Sequence, residues 1–380
     1  MNNKDRIAPL LRVALVGPFP EPINGCSYAN EVLYRRGREL GHSFVKVNTT
    51  TSQSISGRQG SVFSFRKFIS FVAAYRRLPI ILGADVTYIT PGQTFFGLLK
   101  YAPFMAVSRL LQVPYVIHLH GNHLGSHYST LRGIKRELFR ICISRADAAI
   151  VLSESLRANF SELLPPECVH VVENFAGDDL FTSKDHVKDS SEMRVLYLSN
   201  LMREKGILEL LDALALLKEK GIPFSAQIAG HMEEGIRGSV ESRLALLVPE
   251  VTYIGPVSGQ TKIDALHRSN VLVLPTYYSM EGQPIALLEG MACGNVLVTT
   301  RHAGIPDIVE ETNGHLLPVR DIESISSCLE YISNNLESEI ARVSEHNSKK
   351  AAERYTEARF ADSISKLLQR IKSSKAKDIA

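Results

Sequence analysis

The stretch EGQPIALLEGMACGNVLVTT, residues 281–300, places two glutamates eight positions apart around a proline and ends in an apolar run. The run VLVLPT (271–276) before it is typical of a buried strand. Pro284 suits the first position of a helix, where a missing N–H costs nothing. Gly294 suits the end of that helix, and the apolar residues after it predict another strand. The stretch therefore predicts strand, loop, helix and strand, as in a parallel α/β sheet.

The two glutamates flank the start of the predicted helix. Glu281 falls in the loop at the carboxyl end of a strand, where open α/β sheets bind ligands, and Glu289 falls inside the helix. The helix N-terminus, beside Gln283, Pro284 and Ile285, suits an anion. Carboxylates do not bind phosphate but do bind hydroxyl groups, so the pattern indicates a sugar nucleotide. A glycosidase acid pair and two ordinary structural acids are the alternatives at this point.

Apolar runs of this kind recur along the chain, with segments of helical period between them. The first half contains RVALVGPF (12–19), SFVKVN (43–48), DVTYIT (85–90), PYVIHLHG (114–121), AAIVLS (148–153) and VHVVEN (169–174). The second half contains RVLYLSN (194–200), SAQIAG (225–230), VTYIGP (251–256), VLVLPT (271–276), NVLVTT (295–300) and HLLPV (315–319). Six runs in each half predict an α/β fold with two doubly wound domains in tandem.

The domain boundary is predicted in the polar, aperiodic stretch DDLFTSKDHVKDSSEM (178–193), which we interpret as a linker. The N-terminal domain then comprises residues 1–177 and the C-terminal domain residues 194–350. Apolar residues at helical spacing over 351–373 predict an amphipathic terminal helix within the last segment, 351–380.

Composition favours an ordinary globular protein. Hydrophobic residues make up 44% and charged residues 22% of the 380 positions. The five cysteines are scattered without a CxxC pair, so neither a disulfide framework nor a zinc site is indicated. We expect no secretory signal and no transmembrane helix, which together with the cysteines favours a cytoplasmic location.

Positive charge is concentrated in the first half. Residues 1–177 carry 20 Lys and Arg against 11 Asp and Glu, whereas residues 178–380 carry 23 against 29. A basic half favours anionic partners such as phospholipid or diphosphate. The stretch RKFISFVAAYRRL (66–78) predicts a basic amphipathic helix, which suits either a membrane surface or the face of the sheet.

The E-x7-E pattern with its Gly-ended helix resembles the donor site of retaining glycosyltransferases of family 4, the glycosyl transferases group 1. The likeness extends over PTYYSMEGQPIALLEGMACGNVLVTTRHAGIPDIVEETNGHLLP (275–318) and LSNLMREKGILELLDALALL (198–217). It is weaker over HLHGNHLG (118–125) and GPFPEPINGCSYAN (17–30). The resemblance implies a GT-B fold, in which two Rossmann-like domains face each other across a cleft. It also implies that the terminal helix crosses back to the N-terminal domain.

The resemblance assigns roles to residues of the second half. Glu289 would hold the donor ribose, and Glu281 would contact the donor sugar. Lys205, with Arg203, would neutralise the leaving diphosphate, whose negative charge grows as the sugar–phosphate bond breaks. Further donor-binding positions are Asn200, Gly282, Gln283, Pro284 and Ile285. The family often has Gly-Arg where this chain has Ser199-Asn200, so Arg203 would take over the task of the missing arginine.

In the first half, the resemblance implies that His120 contacts the donor sugar and the reacting centre. His120 is predicted to end a buried strand, and His118 is expected to face away from it. His123 and His127 are candidates for the acceptor side, although each also suits an ordinary surface loop. Gly25 would bring the backbone of the first loop near the diphosphate; this loop is not G-x-G-x-x-G, which disfavours a nicotinamide-dependent dehydrogenase.

The function that the resemblance implies is retaining, hexosyltransferase-type transfer from a UDP- or GDP-sugar to a saccharide or lipid-linked saccharide. Bacterial surface polysaccharide synthesis, such as that of O-antigen, capsule or exopolysaccharide, is the expected setting. No Asp-x-Asp motif is present, so no metal and no cofactor are expected. An anionic surface at the inner membrane face is a further expected partner, and nucleic acid is not. The alternatives are a sugar-nucleotide epimerase of the same fold and a non-catalytic nucleotide-sugar-binding protein.

Overall fold

The computed structural model describes residues 10–50, 71–181 and 188–379. These residues form two compact units. The first unit comprises the described residues as far as Glu173 together with the segment from Glu357 onward, and the second runs from Asn174 to Thr356. The first five residues of the predicted helix over 66–78 lie outside the described residues.

The first unit is a parallel sheet with helices around it. Its strands are β1 (Arg12–Gly17), β2 (Ser43–Asn48), β3 (Val86–Ile89), β4 (Tyr115–His118), β5 (Ala148–Val151) and β6 (Val169–Val171). Its helices before Glu173 are α1 (Gly25–Glu39), α2 (Phe95–Leu99), α3 (Ala102–Leu110), α4 (Leu124–Thr130) and α5 (Gly133–Ser144), with 3-10 turns at Ala73–Gly83, Ser155–Phe160 and Pro166–Cys168. The strand order is β2-β1-β3-β4-β5-β6. The strand order reverses between β1 and β3, which is the doubly wound pattern.

The second unit repeats this architecture. Its strands are β7 (Arg194–Leu198), β8 (Ser225–Ala229), β9 (Val251–Gly255), β10 (Val271–Leu274), β11 (Val296–Thr300) and β12 (Gly314–Leu317), in the order β12-β11-β10-β7-β8-β9. Its helices are α6 (Ile207–Glu219), α7 (Arg237–Leu246), α8 (Gly259–Arg268), α9 (Ile285–Ala292), α10 (Ile322–Asn334) and α11 (Leu336–Arg354). The 3-10 turns lie at Asp178–Phe181, Arg203–Lys205, Glu234–Ile236 and Ile305–Asp307.

Each of the predicted apolar runs overlaps a strand, and the predicted α/β fold class is confirmed. The central strands β3, β4, β5, β10 and β11 are buried along their whole length. Helices cover both faces of a doubly wound sheet, so these strands have no solvent-facing positions and appear as continuous apolar runs. This burial explains why the strands were predictable.

Two local predictions are corrected. Pro284 is the N-cap of α9 rather than its first residue, because its ψ of 121° is extended and the helix begins at Ile285. The segment 351–373 is not one helix: α11 ends at Arg354, and a new helix, α12 (Glu357–Ile379), follows. The break arises at Tyr355, whose carbonyl oxygen accepts a hydrogen bond from the backbone N–H of Ala176 at 2.8 Å.

Helix α12 belongs to the first unit, where it packs against α1. The buried carboxylate of Glu357 accepts hydrogen bonds from Arg35 and Arg36, and from the Tyr28 hydroxyl at 3.3 Å. Three donors on one helix therefore fix the start of the terminal helix.

Candidate functional site

Glu281 lies in the loop after β10, as predicted, and its carboxylate is buried. Oε2 accepts hydrogen bonds from Lys205 Nζ at 2.7 Å and from Thr276 Oγ1 at 2.9 Å. Strands β7 and β10 are neighbours in the parallel sheet, so the loops that follow them meet at one edge. The loop after β7 supplies Lys205, and the loop after β10 supplies Thr276 and Glu281.

The position of Lys205 is set by the glycine that follows it. Gly206 is the N-cap of α6 with φ of +75°, a left-handed conformation that favours glycine. A Cβ at Gly206 would lie 2.2 Å from the carbonyl oxygen of Pro275. The two loops are therefore packed backbone to backbone, which holds Lys205 beside Glu281 and with its Nζ 5.2 Å from the centroid of the Tyr278 ring. Arg203, two residues earlier, is exposed.

Glu289 lies within α9 and is 4% exposed. Its Oε1 accepts a hydrogen bond from Lys262 Nζ, on α8, at 2.6 Å. Burial raises the pKa of Glu289, and the ammonium of Lys262 opposes that rise. Lys262 was not predicted from the sequence, because in GQTKIDAL it looks like any polar residue of an amphipathic helix.

The loop before α9 is tied to Asn174, at the start of the second unit. Gln283 Oε1 accepts from the backbone N–H of Asn174 at 2.6 Å, and the Gln283 carbonyl accepts from Asn174 Nδ2 at 2.8 Å. The backbone N–H of Gly304 donates to the carbonyl of Gly282 at 3.1 Å. Gln283 Nε2 is buried and has no hydrogen-bond partner among the described residues, so it remains a donor for a ligand.

Asn200 lies in the loop after β7, next to the point where the backbone of Ser199 approaches that of Gly230. Gly230, with φ of +146°, would place a Cβ 1.8 Å from the carbonyl oxygen of Ser199, so only glycine fits there. The hydroxyl of Tyr197 donates to the Asn200 carbonyl at 3.1 Å. Asn200 itself is half-buried, and its role in donor binding stays a prediction.

In the first unit, His120 lies in the loop after β4, two residues beyond the end of the strand. The prediction that His118 faces away from it is wrong: the two ring centroids are 4.1 Å apart. Residues two positions apart in an extended chain share one face, which accounts for the contact. The Tyr88 hydroxyl is hydrogen-bonded to His118 Nδ1. Burial lowers the pKa of His120 to about 4 and that of His118 well below its ordinary value, so both rings are neutral near pH 7.

The two histidines predicted on the acceptor side differ in their bonding. His127 Nε2 accepts from the backbone N–H of Phe95 at 2.8 Å, at the first turn of α2, which is a structural task. His123 Nδ1 lies 3.2 Å from Ser126 Oγ. Burial lowers the pKa of both.

Gly25 begins α1. Asn24 caps this helix, its side chain accepting from the Ser27 backbone N–H at 3.0 Å. A Cβ at Gly25 would meet no atom within 4 Å, so space for a ligand is open there. Packing within the protein therefore does not require glycine at this position.

The structure thus brings Lys205 and Glu281 together just before the start of α9. Lys262 on α8 and Glu289 on α9 form a second pair. Within the described ranges, no three His, Cys, Asp or Glu side chains are grouped so that they could hold a metal ion. Among the helices of the described segments, none has both the length and the hydropathy needed to cross a membrane.

Comparison with known sequences gives one family and a set of relatives. A sequence model of the family "glycosyl transferases group 1" matches residues 178–369. The chain is 29% identical over 248 residues to a putative colanic acid biosynthesis glycosyltransferase, WcaL, of Salmonella typhimurium, an alignment that covers 62% of this chain and 59% of the relative. It is 25% identical over 317 residues to the alpha-D-kanosaminyltransferase of Streptomyces kanamyceticus, covering 78% and 80%. An amylovoran biosynthesis glycosyltransferase of Erwinia amylovora, AmsK, is 26% identical over 43% of this chain and 42% of its own length.

The chain spans about three fifths of the length of the colanic acid relatives that it matches. Among solved structures, Anabaena HepE in complex with UDP and glucose has a TM-score of 0.71 at 16% identity, over 95% of this chain and all of that chain. A sucrose-phosphate synthase from Thermosynechococcus elongatus has the same TM-score at 16% identity, over 96% of this chain and 100% of its own.

Proposed function

The chain belongs to the glycosyl transferases group 1 family and has its GT-B fold of two Rossmann-like domains, and we propose that it transfers a hexose from a UDP- or GDP-sugar to a saccharide or lipid-linked saccharide. One observation carries this proposal: two buried carboxylates, one in the loop before α9 and one within α9, each accept a hydrogen bond from a lysine. Carboxylates bind the hydroxyl groups of sugar and ribose, and lysines neutralise the diphosphate between them. HepE and its bound UDP and glucose provide a precedent within the same fold.

Each pair is suited to exchange one partner for a ligand. Without a donor, the ammonium of Lys205 is neutralised by Glu281. When a diphosphate binds at the start of α9, Lys205 can turn toward it, and Glu281 is released to accept hydrogen bonds from the sugar. Both residues are largely buried, so water does not screen these interactions as it does on the surface.

The reaction breaks the bond between the anomeric carbon and the diphosphate oxygen, and the nucleoside diphosphate leaves with both electrons. The acceptor oxygen forms the new bond to the anomeric carbon, and its proton passes to the leaving diphosphate. Lys205 and the start of α9 stabilise the negative charge that develops. We propose that this arrangement works without a metal and retains the configuration of the sugar, as the resemblance to family 4 implies.

The first unit supplies the acceptor side and His120. A neutral imidazole both donates and accepts one hydrogen bond, which suits a hydroxyl group better than an anion. Synthesis of a bacterial surface polysaccharide on the inner face of the membrane is the proposed setting, which the colanic acid and amylovoran relatives support.

The first test is calorimetric binding of UDP and of GDP, without added metal, to the wild type and to Glu289→Ala. We expect one nucleotide to bind the wild type and its affinity to fall at least tenfold in the variant. The control is Glu339→Ala, because Glu339 is also a buried glutamate of the second unit, held by His315 at 2.8 Å and Arg342 at 2.6 Å, outside the proposed site. Its affinity for the nucleotide should be unchanged.

The outcomes separate the candidate functions. Absence of binding for both nucleotides would contradict the proposed donor class. Once the base is known, product analysis with the corresponding sugar donors distinguishes transfer from epimerisation, since an epimerase converts the donor without an acceptor. Binding without turnover on any saccharide or lipid-linked acceptor would identify a non-catalytic sugar-nucleotide-binding protein.

A further inference from the structure

Behind His120, the first unit contains a buried cluster of three polar rings. Tyr88 lies on β3 and His118 at the end of β4, and both are fully buried. The Tyr88 hydroxyl is hydrogen-bonded to His118 Nδ1. The centroid of the His118 ring lies 4.1 Å from that of His120 and 6.2 Å from that of Phe360 on α12. The two histidine rings are therefore in direct contact.

The hydrogen bond between the Tyr88 hydroxyl and His118 Nδ1 links the tautomer of His118 to the phenol. Burial raises the pKa of Tyr88 well above its ordinary value, so the phenol stays protonated and can either donate to an unprotonated Nδ1 or accept from a protonated one. His118 is neutral, so donation by Tyr88 leaves the imidazole proton on Nε2, which has no hydrogen-bond partner among the described residues. In either case the bond restrains the orientation of the His118 ring, and donation by Tyr88 also sets its tautomer.

His120 has unused hydrogen-bonding capacity. Its Nδ1 and Nε2 are both buried and have no hydrogen-bond partner among the described residues. Leaving buried polar atoms without a hydrogen-bond partner is unfavourable. The hydroxyl groups of a bound sugar or acceptor would satisfy them, one by accepting and one by donating, but only in one orientation of the ring.

We propose that Tyr88 and His118 are positioning residues for His120: the Tyr88 hydroxyl fixes the His118 ring, and that ring holds the His120 imidazole in the orientation that bonds hydroxyl groups of the ligand. The identity of the ligand as a sugar or a sugar acceptor rests on the proposed function. The packing of the three rings does not, so the two can be tested separately.

The first experiment records the ring nitrogen resonances of ¹⁵N-histidine-labelled protein. In the wild type, His118 should show a protonated Nε2 and an unprotonated Nδ1. In Tyr88→Phe, we expect His118 to become a mixture of tautomers and the His120 resonances to shift. The control is Tyr115→Phe, which also removes a buried hydroxyl, one that donates to the Cys142 carbonyl at 2.8 Å, and should leave His120 unchanged. Unchanged His120 resonances in Tyr88→Phe would overturn the proposal.

The second experiment measures transfer kinetics. Tyr88→Phe should lower kcat on the order of tenfold and leave the KM for the donor unchanged. This loss of kcat is smaller than the roughly hundredfold cost of moving a reacting group by about 1 Å. In a His120→Asn background, Tyr88→Phe should have no further effect on kcat. An equal loss of kcat in both backgrounds would contradict action through His120. If the protein transfers no sugar at all, the proposed function fails, while the resonance experiment still decides the role of Tyr88.

Discussion

Glu289 is an acid inside an apolar helix that contacts the sheet, and its ionisation is linked to folding. Burial raises its pKa in the folded protein, although Lys262 lies 2.6 Å away. The folded state therefore binds this proton more tightly than the unfolded chain does. Stability contributed by the group is greatest below the unfolded pKa and is lost as the pH rises through the folded pKa. Ionising this carboxyl group in the folded protein therefore costs stability.

We therefore predict that Glu289→Gln unfolds at a higher temperature than the wild type at pH 7. The amide resembles the protonated acid, so the advantage should shrink as the pH falls toward the unfolded pKa of about 4.3. Thermal unfolding of both proteins across this range measures the difference. Glu330→Gln is the control, since the side chain of Glu330 on α10 is 34% exposed and is paired with Lys220 at 2.7 Å. A difference that does not change with pH would contradict the prediction.

The sequence predicted site residues that are near each other in the chain but not their distant partners. The E-x7-E spacing and the proline led to Glu281 and Glu289, because loop and helix start are local patterns. Lys262 lies 27 positions from Glu289, and Tyr88 lies 30 positions from His118. Such pairs depend on how α8 and β3 pack, which a single sequence does not record.

The C-terminus of helix α8 is capped by a lysine side chain from outside the helix. Lys188 is 7% exposed, and its Nζ donates to the carbonyls of Leu266 and His267 at 3.0 Å and of Ser269 at 2.7 Å. The last carbonyls of a helix have no intrahelical partner, so this ammonium satisfies a requirement of α8. Lys188 also lies in the segment 178–193, which its polar composition predicts to be a linker.

We predict that Lys188→Met destabilises the protein by about 3 kcal/mol, because buried hydrogen bonds to a charged group are lost and the carbonyls remain buried. The matched control is Lys218→Met. Lys218 also donates to the end of a helix, to the carbonyls of Leu246 at 3.2 Å and Val248 at 2.8 Å, but its side chain is 33% exposed. That variant should cost about 1 kcal/mol or less, since water replaces the lost bonds. Urea unfolding measures both, and equal losses would contradict the role of burial.

Helices and strands could be predicted from the sequence where burial produces apolar residues at a regular spacing or in a continuous run. All strands and the course of α6 and α9 follow such a signal. The division between α11 and α12 does not, because it depends on a backbone hydrogen bond between Tyr355 and the distant Ala176. The burial of Lys188 is a similar case, since a lysine in a polar stretch gives no sign of the helix end that it caps.

Over the whole molecule, charge differs between the two halves, with an excess of basic residues in 1–177 and of acidic residues in 178–380. Part of the basic excess lies on segments of the first unit that also expose apolar side chains. The 3-10 turn Ala73–Gly83 packs against α3, and these two segments expose Leu82 and Leu110 to 71% and 81%. Phe71 is buried against Tyr101, with ring centroids 5.3 Å apart, so part of the predicted apolar face of 66–78 contacts the protein itself.

Arg76, Arg77 and Arg109 are exposed on the same two segments, and we predict that they attract an anionic membrane surface. The protein should sediment with vesicles of phosphatidylglycerol at low salt, but not with vesicles of phosphatidylcholine. Salt should release it, because the screening length falls to about 10 Å at 0.1 M. Arg76→Glu with Arg77→Glu should abolish sedimentation. Arg268→Glu with Lys349→Glu, which changes the net charge equally at exposed positions of the second unit, should not. An equal loss of sedimentation in both double variants would mean that net charge, rather than this surface, determines binding. If the wild type does not sediment with the vesicles, the membrane is excluded as a partner.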